Sequence, residues 1–574
     1  MTAQAQGSAL TGVVRFLSSV VQPVDTDNQA ATQPDEQQVT AVSPSVRPVL
    51  VPRGLSKAAG IASLVFLLGA VIYGTAAHFT GPAYPYDDAF IIYRYVDNFL
   101  TGQGLVYNAG ERVFGVSTPF YIAWVTTLKA VAPSAATPDL AVRGNFVFYL
   151  VTVAGLALLM RRLLRVRWLA LAAAGAFALR PTILAASTGG MESLALAGFA
   201  VWVLWAIVGR RTVLAGVLAG LSVLVRPEGA LLILAVLVAW FAAGRKRLVP
   251  VLAGLLVPGL VLVAALWLYY GTPVYQSLVA KAAPLYPLRF GSAVVALWRQ
   301  VLAWSEGSIP RVPAVAGLAA LALVVLGYGF KFRRAVLRRQ DLAPVAGLFV
   351  LLALFYLATN PLMFEWYYPV IETVWFALFF TGLVWLAARA RRWRRWAGLP
   401  VGLILAFVTL FPAARLVVAN AASNRPVTDL RFDEDPPRLR IDTYRAVAQR
   451  LNLVLPEGAT LAGPEIGSLG YYYRRGRITD ACGLVSPEAV RFLPVPAKDR
   501  FSSDCGAIGL DLVKALTPDV VVTLGTFAGR SLYDNDWFWA NYVRVWTVRL
   551  MKETWGTRTA DVFFYRYAGR LDRP

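Results

Sequence analysis

Long apolar runs separated by short polar breaks dominate the chain between residues 58 and 418. The runs fall near 58–79, 116–133, 144–160, 168–186, 191–208, 212–225, 229–243, 248–269, 312–330, 343–359, 366–388 and 397–418. Many are long enough to cross a hydrocarbon layer of about 30 Å as helices. Two regions break the pattern. Residues 1–56 are polar and rich in Gln, Ser, Thr and Pro, and read as a disordered cytoplasmic arm. They hold no short apolar stretch with a cleavage site near Met1, so no removable signal peptide is expected. Residues 434–574 read as a soluble tail. Within it 442–452 suits a helix, 459–461 and 520–524 read as short strands, and Pro456, Glu457 and Gly458 mark a turn.

Charge sets the expected topology. Basic residues cluster between apolar runs: Arg161, Arg162, Arg165 and Arg167; Arg210 and Arg211; Arg245, Lys246 and Arg247; Lys331 to Arg339; Arg389 to Arg395. Cytoplasmic loops are enriched in such residues. With Arg53 and Lys57 leading the first span outward and 144–160 returning, every cluster lies inside. The loops at 81–143, 187–190, 226–228, 270–311 and 360–366 then lie outside, with the tail. This arrangement requires 116–133, which carries Thr118, Pro119, Thr126, Thr127 and Lys129, to lie along or dip into the membrane rather than span it. Letting it span would leave Arg47, Arg53 and Lys57 outside, against the same rule. The expected fold is therefore mostly α: a polytopic helical domain over 57–433 with about eleven spans, its first outer loop at 80–143, followed by a soluble α/β domain over 434–574.

Composition sharpens this reading. The chain is 57% hydrophobic and 15% charged, where soluble domains carry about 25% charge. The net charge of +22 sits in the inner loops, which favours anionic headgroups over nucleic acid as its partner. One histidine, His78, and five methionines leave little for a transition-metal site. Cys482 and Cys505 both lie in the outer tail, where a disulfide can form, and two free buried thiols are the alternative.

The richest candidate chemistry lies just past the first span, in Gly81-Pro-Ala-Tyr-Pro-Tyr-Asp87-Asp88-Ala-Phe-Ile-Ile-Tyr-Arg94-Tyr95. Phe90, Ile91, Tyr95, Val96 and Phe99 recur at helical spacing, Arg94, Asp97 and Asn98 face another way, and Gly102 and Gly104 stop the helix. An acid at a helix start is often only an N-cap, accepting bonds from free backbone N–H groups. The functional alternative is a carboxylate at the membrane surface that deprotonates an acceptor hydroxyl. Its neighbour would orient it, shift its pKa or help bind a divalent cation, although no third oxygen ligand is evident.

The stretch from Asp87 to Val113 resembles the first outer loop of the C-type membrane glycosyltransferases, and most closely the arabinofuranosyltransferase B branch. The resemblance rests on Asp87, Asp88, Arg94, Gly102, Gly104, Asn108, Gly110 and Glu111, and on the order of many spans before an outer domain. It implies a C-type glycosyltransferase fold and Asp87 and Asp88 as catalytic acids. It also implies a polyprenyl-phosphate sugar as donor, a cell-envelope glycan or glycolipid as acceptor, inversion at the anomeric carbon, and a bacterial plasma-membrane setting. Arabinofuranose follows from the nearest branch only; mannose fits almost as well.

Other outer residues join this expectation. Gly189-Gly190-Met191-Glu192 opens one span, and a favourable acid at a helix start explains Glu192 without function. Arg226-Pro227-Glu228-Gly229 sets a cation and an anion at the membrane edge, where ionisable groups are costly and often functional. Lys281 follows Tyr269-Tyr270-Gly271-Thr272-Pro273, and the Thr-Pro with a later lysine also resembles the family, where it approaches the donor phosphate. A snorkelling lysine is the plain alternative. Arg94, Arg226 and Lys281 are the candidate phosphate ligands; Glu192, Glu228, Tyr270, Glu365 and Tyr367 are the candidate substrate contacts. Aromatics beside Glu365 are also what an interface belt supplies. No phosphate loop, dinucleotide fingerprint or metalloprotease helix is present. A transporter or flippase of lipid-linked sugars is the competing class, but no internal repeat is visible and the candidate charges share one face. A structural scaffold would leave the outer acids and cations without a purpose.

Overall fold

The computed structural model describes residues 53–80, 85–242, 244, 247–283, 290–297, 299, 342–393, 436–500, 507–549 and 559–565. The N-terminal arm, the runs at 312–330 and 397–418, and Cys505 lie outside them.

Among the described residues, helices form where the apolar runs predict them. They are α1 (Arg53–Phe79), α2 (Ala89–Leu100), α3 (Pro119–Val131), α4 (Thr137–Gly144), α5 (Phe146–Leu164), α6 (Arg167–Ala178), α7 (Pro181–Thr188), α8 (Ser193–Val208) and α9 (Thr212–Val225). They continue with α10 (Ala230–Ala242), α11 (Leu248–Tyr270), α12 (Gln276–Ala282), α13 (Ala343–Thr359) and α14 (Tyr368–Trp393). Among the described residues, Lys57–Phe79, Thr137–Leu164, Leu248–Tyr270 and Glu365–Val384 are long and apolar enough to cross a membrane. Shorter apolar helices cover 193–208, 212–225, 227–242 and 343–359. The chain thus carries multiple apolar helices.

Two expectations about spans need comment. The run 168–186 is not one straight helix: α6 and α7 meet at a 58° bend. Pro181 is the cause, because it lacks an N–H and its ring excludes the preceding residue from helical backbone; Arg180 is extended at φ −67, ψ 128. Within 116–133 only the 13 residues of α3 are helical. At 1.5 Å per residue that is about 20 Å, too short for a span.

Small residues let the helices approach closely. A methyl added at Gly220 of α9 would lie 2.1 Å from the Gly254 carbonyl of α11, so that crossing exists only because both are glycine. The faces left over are greasy: Leu260, Val261 and Leu268 on α11 are largely exposed, as a lipid-facing surface requires. Inside, Arg180 and Glu372 form a fully buried ion pair that joins the α6–α7 bend to α14.

The tail is α/β, built from α15 (Pro436–Val454), β1 (Leu461–Gly463), α16 (Ser468–Tyr472), β2 (Ile478–Asp480), α17 (Leu510–Leu516), β3 (Val520–Leu524), α18 (Gly525–Ala528), α19 (Asp536–Asn541), β4 (Tyr542–Arg549) and β5 (Thr559–Tyr565). The sheet order is β2-β1-β3-β5-β4. β2, β1 and β3 run parallel, while β5 is antiparallel to both β3 and β4. Leu461, Ile478, Val520 and Val522 are buried in the same apolar core as α2, so the tail packs onto the segment that follows α1.

Candidate active site

The acid pair sits where the membrane domain meets the tail. Asp87 and Asp88 occupy the turn before α2, and backbone bonds from Phe90 N to the Asp87 carbonyl (3.0 Å) and from Ile91 N to the Asp88 carbonyl (3.2 Å) already close helical turns. Neither carboxylate caps α2. Asp88 has helical backbone angles (φ −59, ψ −24) and makes no side-chain cap bond. Capping needs an extended residue whose side chain folds back onto the N–H groups two or three positions ahead. Asp87 instead accepts a hydrogen bond from Ser468 N of the tail at 2.8 Å.

Gly189 and Gly190 hold Tyr86 and Tyr93, which flank the pair. Tyr86 N donates to the Gly189 carbonyl at 2.9 Å and Tyr93 Oη donates to the Gly190 carbonyl at 2.8 Å. A methyl at Gly189 would strike the Tyr86 ring at 2.2 Å, and Gly190 has φ +67. Both glycines are therefore required by close packing against the residues that flank the acids.

The surroundings raise the proton affinity of both acids. Asp87 is pushed up to about 7 by burial and by Glu465, against the Ser468 N–H that favours its charged form. Asp88 is pushed up to about 6, chiefly by burial; Lys281 holds it down while Glu465 and Glu192 raise it.

The other expected residues divide. Glu192, Arg226, Glu228 and Tyr367 come together, but around each other. Arg226 donates Nη1 to Glu192 Oε1 at 2.7 Å and Nη2 to Glu228 Oε1 at 2.9 Å, with its guanidinium 5.0 Å above the Tyr367 ring. The buried Arg226, the expected phosphate ligand, lies between two buried glutamates at the centre of an ion-pair cluster. Arg94, the other expected phosphate ligand, bonds backbone carbonyls of the loop after α2 and of the tail. It is buried, its Nε donates to the Tyr107 carbonyl at 2.7 Å, and its Nη1 donates to the Gly470 and Tyr473 carbonyls. Its task is to tie α2 to the tail. Tyr270 donates its hydroxyl to the Leu105 carbonyl at 2.6 Å and packs on Phe114, so it braces the loop between α2 and α3. Glu365 is exposed at the start of α14, in a 3-10 turn with Trp366 and Tyr367. Lys281 is exposed on α12 and couples electrostatically to Asp88 and Glu228.

Sequence reasoning missed the tail's share. Glu465 couples to both acids and is itself held by Tyr444 Oη at 2.6 Å and Arg440 Nη1 at 2.5 Å. Asp480 is buried, accepts backbone N–H bonds from Cys482 (2.9 Å), Leu484 (2.6 Å) and Val485 (3.3 Å), and couples to Asp88. Glu465 lies just past the carboxyl end of β1 and Asp480 ends β2, and sites gather at that edge of parallel sheets. That edge was the available signal. Cys482 is buried, with Sγ 3.3 Å from the Pro464 carbonyl. Among the described residues no group of three His, Cys, Asp or Glu side chains is arranged to hold a metal ion.

Residues 437–565 match a family model described as a domain of unknown function (DUF8728). No curated protein matches the chain. Among solved structures, the Archaeoglobus fulgidus oligosaccharyltransferase in complex with zinc and sulfate is 13% identical, covers 87% of this chain and 72% of its own, and has a TM-score of 0.49. The same organism's enzyme in complex with an inhibitory peptide and a dolichol-phosphate is 14% identical over 89% and 75% of the chains, with a TM-score of 0.44. ArnT of Cupriavidus metallidurans bound to undecaprenyl phosphate is 12% identical over 89% and 98%, with a TM-score of 0.44. Likeness at this distance carries no argument about chemistry, which rests on the site.

Proposed function

We propose that this chain is a C-type membrane glycosyltransferase that moves a sugar from a polyprenyl-phosphate carrier to a glycan or glycolipid acceptor on the outer face of a bacterial-type plasma membrane. The observation that carries the reading is Asp88: a half-buried carboxylate beside the membrane domain, engaged in no helix cap and coupled to Lys281. A side chain held for structure alone would be expected to spend its oxygens on a cap or an ion pair, as Glu228 and Glu372 do.

Asp88 is the general base. It takes the proton of an acceptor hydroxyl as that oxygen bonds to the anomeric carbon. The bond from the anomeric carbon to the carrier phosphate breaks, its electron pair leaves on the phosphate, and configuration inverts. Lys281, a compact cation close to Asp88, stabilises the charge growing on the departing phosphate. Asp87, fixed by Ser468 N, sets the backbone and field around Asp88. A divalent cation at the acid pair would take oxygen ligands from Asp87 and Asp88. The resemblance of residues 87–113 to the arabinofuranosyltransferase B branch makes arabinofuranose the first donor to try.

The test is transfer by purified protein in detergent, from a panel of polyprenyl-phosphate sugars to an oligosaccharide. Transfer by the wild type, with Asp88→Asn reduced about 10²-fold or more, is the expected outcome. A bound lipid-linked sugar that is never transferred would instead support the transporter.

A further inference from the structure

Away from the acids, a cavity of about 270 Å³ opens between the loop that follows α2 and the tail. On one side α2 supplies Arg94 and Asn98, four residues apart and so on one helix face. On the other side stands the turn 474–477, within the stretch 437–565 for which no function is described. Asn108 fastens the two sides together. Its Nδ2 donates to the Ile478 carbonyl at 2.9 Å and to Glu111 Oε2 at 3.0 Å, and its Oδ1 accepts from Ile478 N at 3.1 Å. The turn itself is tight, since a methyl added at Gly476 would lie 2.2 Å from the Ala459 carbonyl oxygen. The cavity is therefore built before any ligand arrives.

Two buried side chains in its wall each have an atom to spare. Arg94 is 6% exposed and Asn98 4%. Arg94 spends Nε on the Tyr107 carbonyl (2.7 Å) and Nη1 on the Gly470 and Tyr473 carbonyls, but among the described residues its Nη2 has no acceptor. Asn98 Nδ2 donates to the Val106 and Tyr107 carbonyls, each at 2.9 Å, and among the same residues its Oδ1 has no donor. A buried polar atom left without a partner is costly. One donor and one acceptor in this state beside the same cavity call for a ligand that both gives and takes hydrogen bonds. Gln103, exposed on the same wall, offers a further amide of both kinds. We propose that this cavity is a second carbohydrate subsite, holding an uncharged sugar unit of the acceptor glycan remote from the hydroxyl that reacts.

Charge and composition select the ligand class. The arginines of the turn are already engaged: Arg474 with Asp97 at 3.4 Å, Arg475 with Glu457, and Arg477 with both Glu111 and Glu488. With Arg94 that makes four cations against four anions, so the site offers no net charge to an anion, while Asn98 Oδ1 and Glu111 would repel one. Ala109 is the only apolar side chain in the lining, so a lipid chain gains nothing there. A sugar hydroxyl, donor and acceptor at once, suits both spare atoms. Arg94 and Asn98 lie six and ten residues past Asp88, which at 1.5 Å per residue is about 9 and about 15 Å along α2. That is further than one sugar ring reaches, so the unit bound here is not the one that reacts.

The acceptor role rests on the glycosyltransferase reading; glycan binding in the cavity does not. Calorimetry on the full-length protein in detergent, without donor, uses neutral arabino- and manno-oligosaccharides from monosaccharide to hexasaccharide, with inorganic phosphate as the anionic probe. Affinity for one series should rise with length. Ala109→Trp, which fills the cavity from an exposed position, and Gln103→Ala should each weaken the hexasaccharide about tenfold and flatten the length dependence, with melting midpoints kept. No oligosaccharide binding, or the same length dependence in both variants, overturns the proposal. So does phosphate binding that both variants abolish, which would make this an anion site. Length-dependent binding that both variants flatten, without transfer from any donor, keeps the subsite and overturns the glycosyltransferase reading.

Discussion

Gly467→Ala is a sharp test of how the tail acts on the acid pair. The residue has φ −64 and ψ −91, so space rather than a left-handed backbone makes glycine necessary. The alanine methyl would lie 2.0 Å from the Asp87 carbonyl oxygen, 2.5 Å from Asp87 Oδ2 and 2.6 Å from the Asp87 carbonyl carbon. Ordinary contact begins at 3.4 Å, so the backbone of Asp87 and the tail must separate by about 1.4 Å (3.4 − 2.0). Backbone cannot rotate away as a long side chain can. The 2.8 Å bond from Ser468 N to Asp87 is then lost, worth about 1.5–3 kcal/mol for a bond to a charged group. A displacement of about 1 Å at reacting groups costs transfer about 100-fold. The assay is single-turnover transfer at saturating donor and acceptor, beside the melting midpoint of the same preparation. Gly525→Ala, where an added methyl meets nothing within 4 Å, is the control and should behave as wild type. A Gly467→Ala protein with the wild-type rate would show that the contact with Asp87 is not part of catalysis.

Two further outcomes follow. The folded proton affinities of Asp87 and Asp88, about 7 and about 6, exceed their unfolded value of about 3.8, so the folded state holds more protons between those limits. Stability from these groups is then complete below about pH 4 and is lost as pH rises to about 7, while transfer, which needs a free base, rises over pH 5–7. Melting midpoints of wild type and the Asp87→Asn/Asp88→Asn variant across pH 4–8 check the sign, since the variant's curve should be flatter. Arg226→Gln should destabilise by about 3–5 kcal/mol, because it leaves Glu192 and Glu228 buried without their cation; an unchanged melting midpoint in detergent would refute the cluster's structural role.

What the sequence made legible was what depends on neighbours along the chain. Among the described residues the apolar runs of helical length are helices, and the Val520 to Leu524 run is a strand buried along its whole length. The acid pair, Glu192, Arg226, Glu228 and Tyr367 were all picked out before the structure placed the last four together. What stayed illegible depends on partners far along the chain. Arg94 is satisfied by carbonyls 376 and 379 residues away, and a local pattern holds no trace of that; it could suggest a cation for a phosphate just as well. Nothing local marks Glu465, because the group it bears on, Asp87, lies in a distant part of the chain. The same logic explains why the N-cap question had to wait. Whether an acid before a helix caps it depends on its own backbone, extended for a cap and helical otherwise, and a sequence of Tyr-Asp-Asp-Ala permits both. Asp88 has the helical angles, which release its carboxylate from its own helix. Local structure thus frees one acid, and a distant domain claims the other. Two adjacent, chemically identical side chains acquire different surroundings only through the fold.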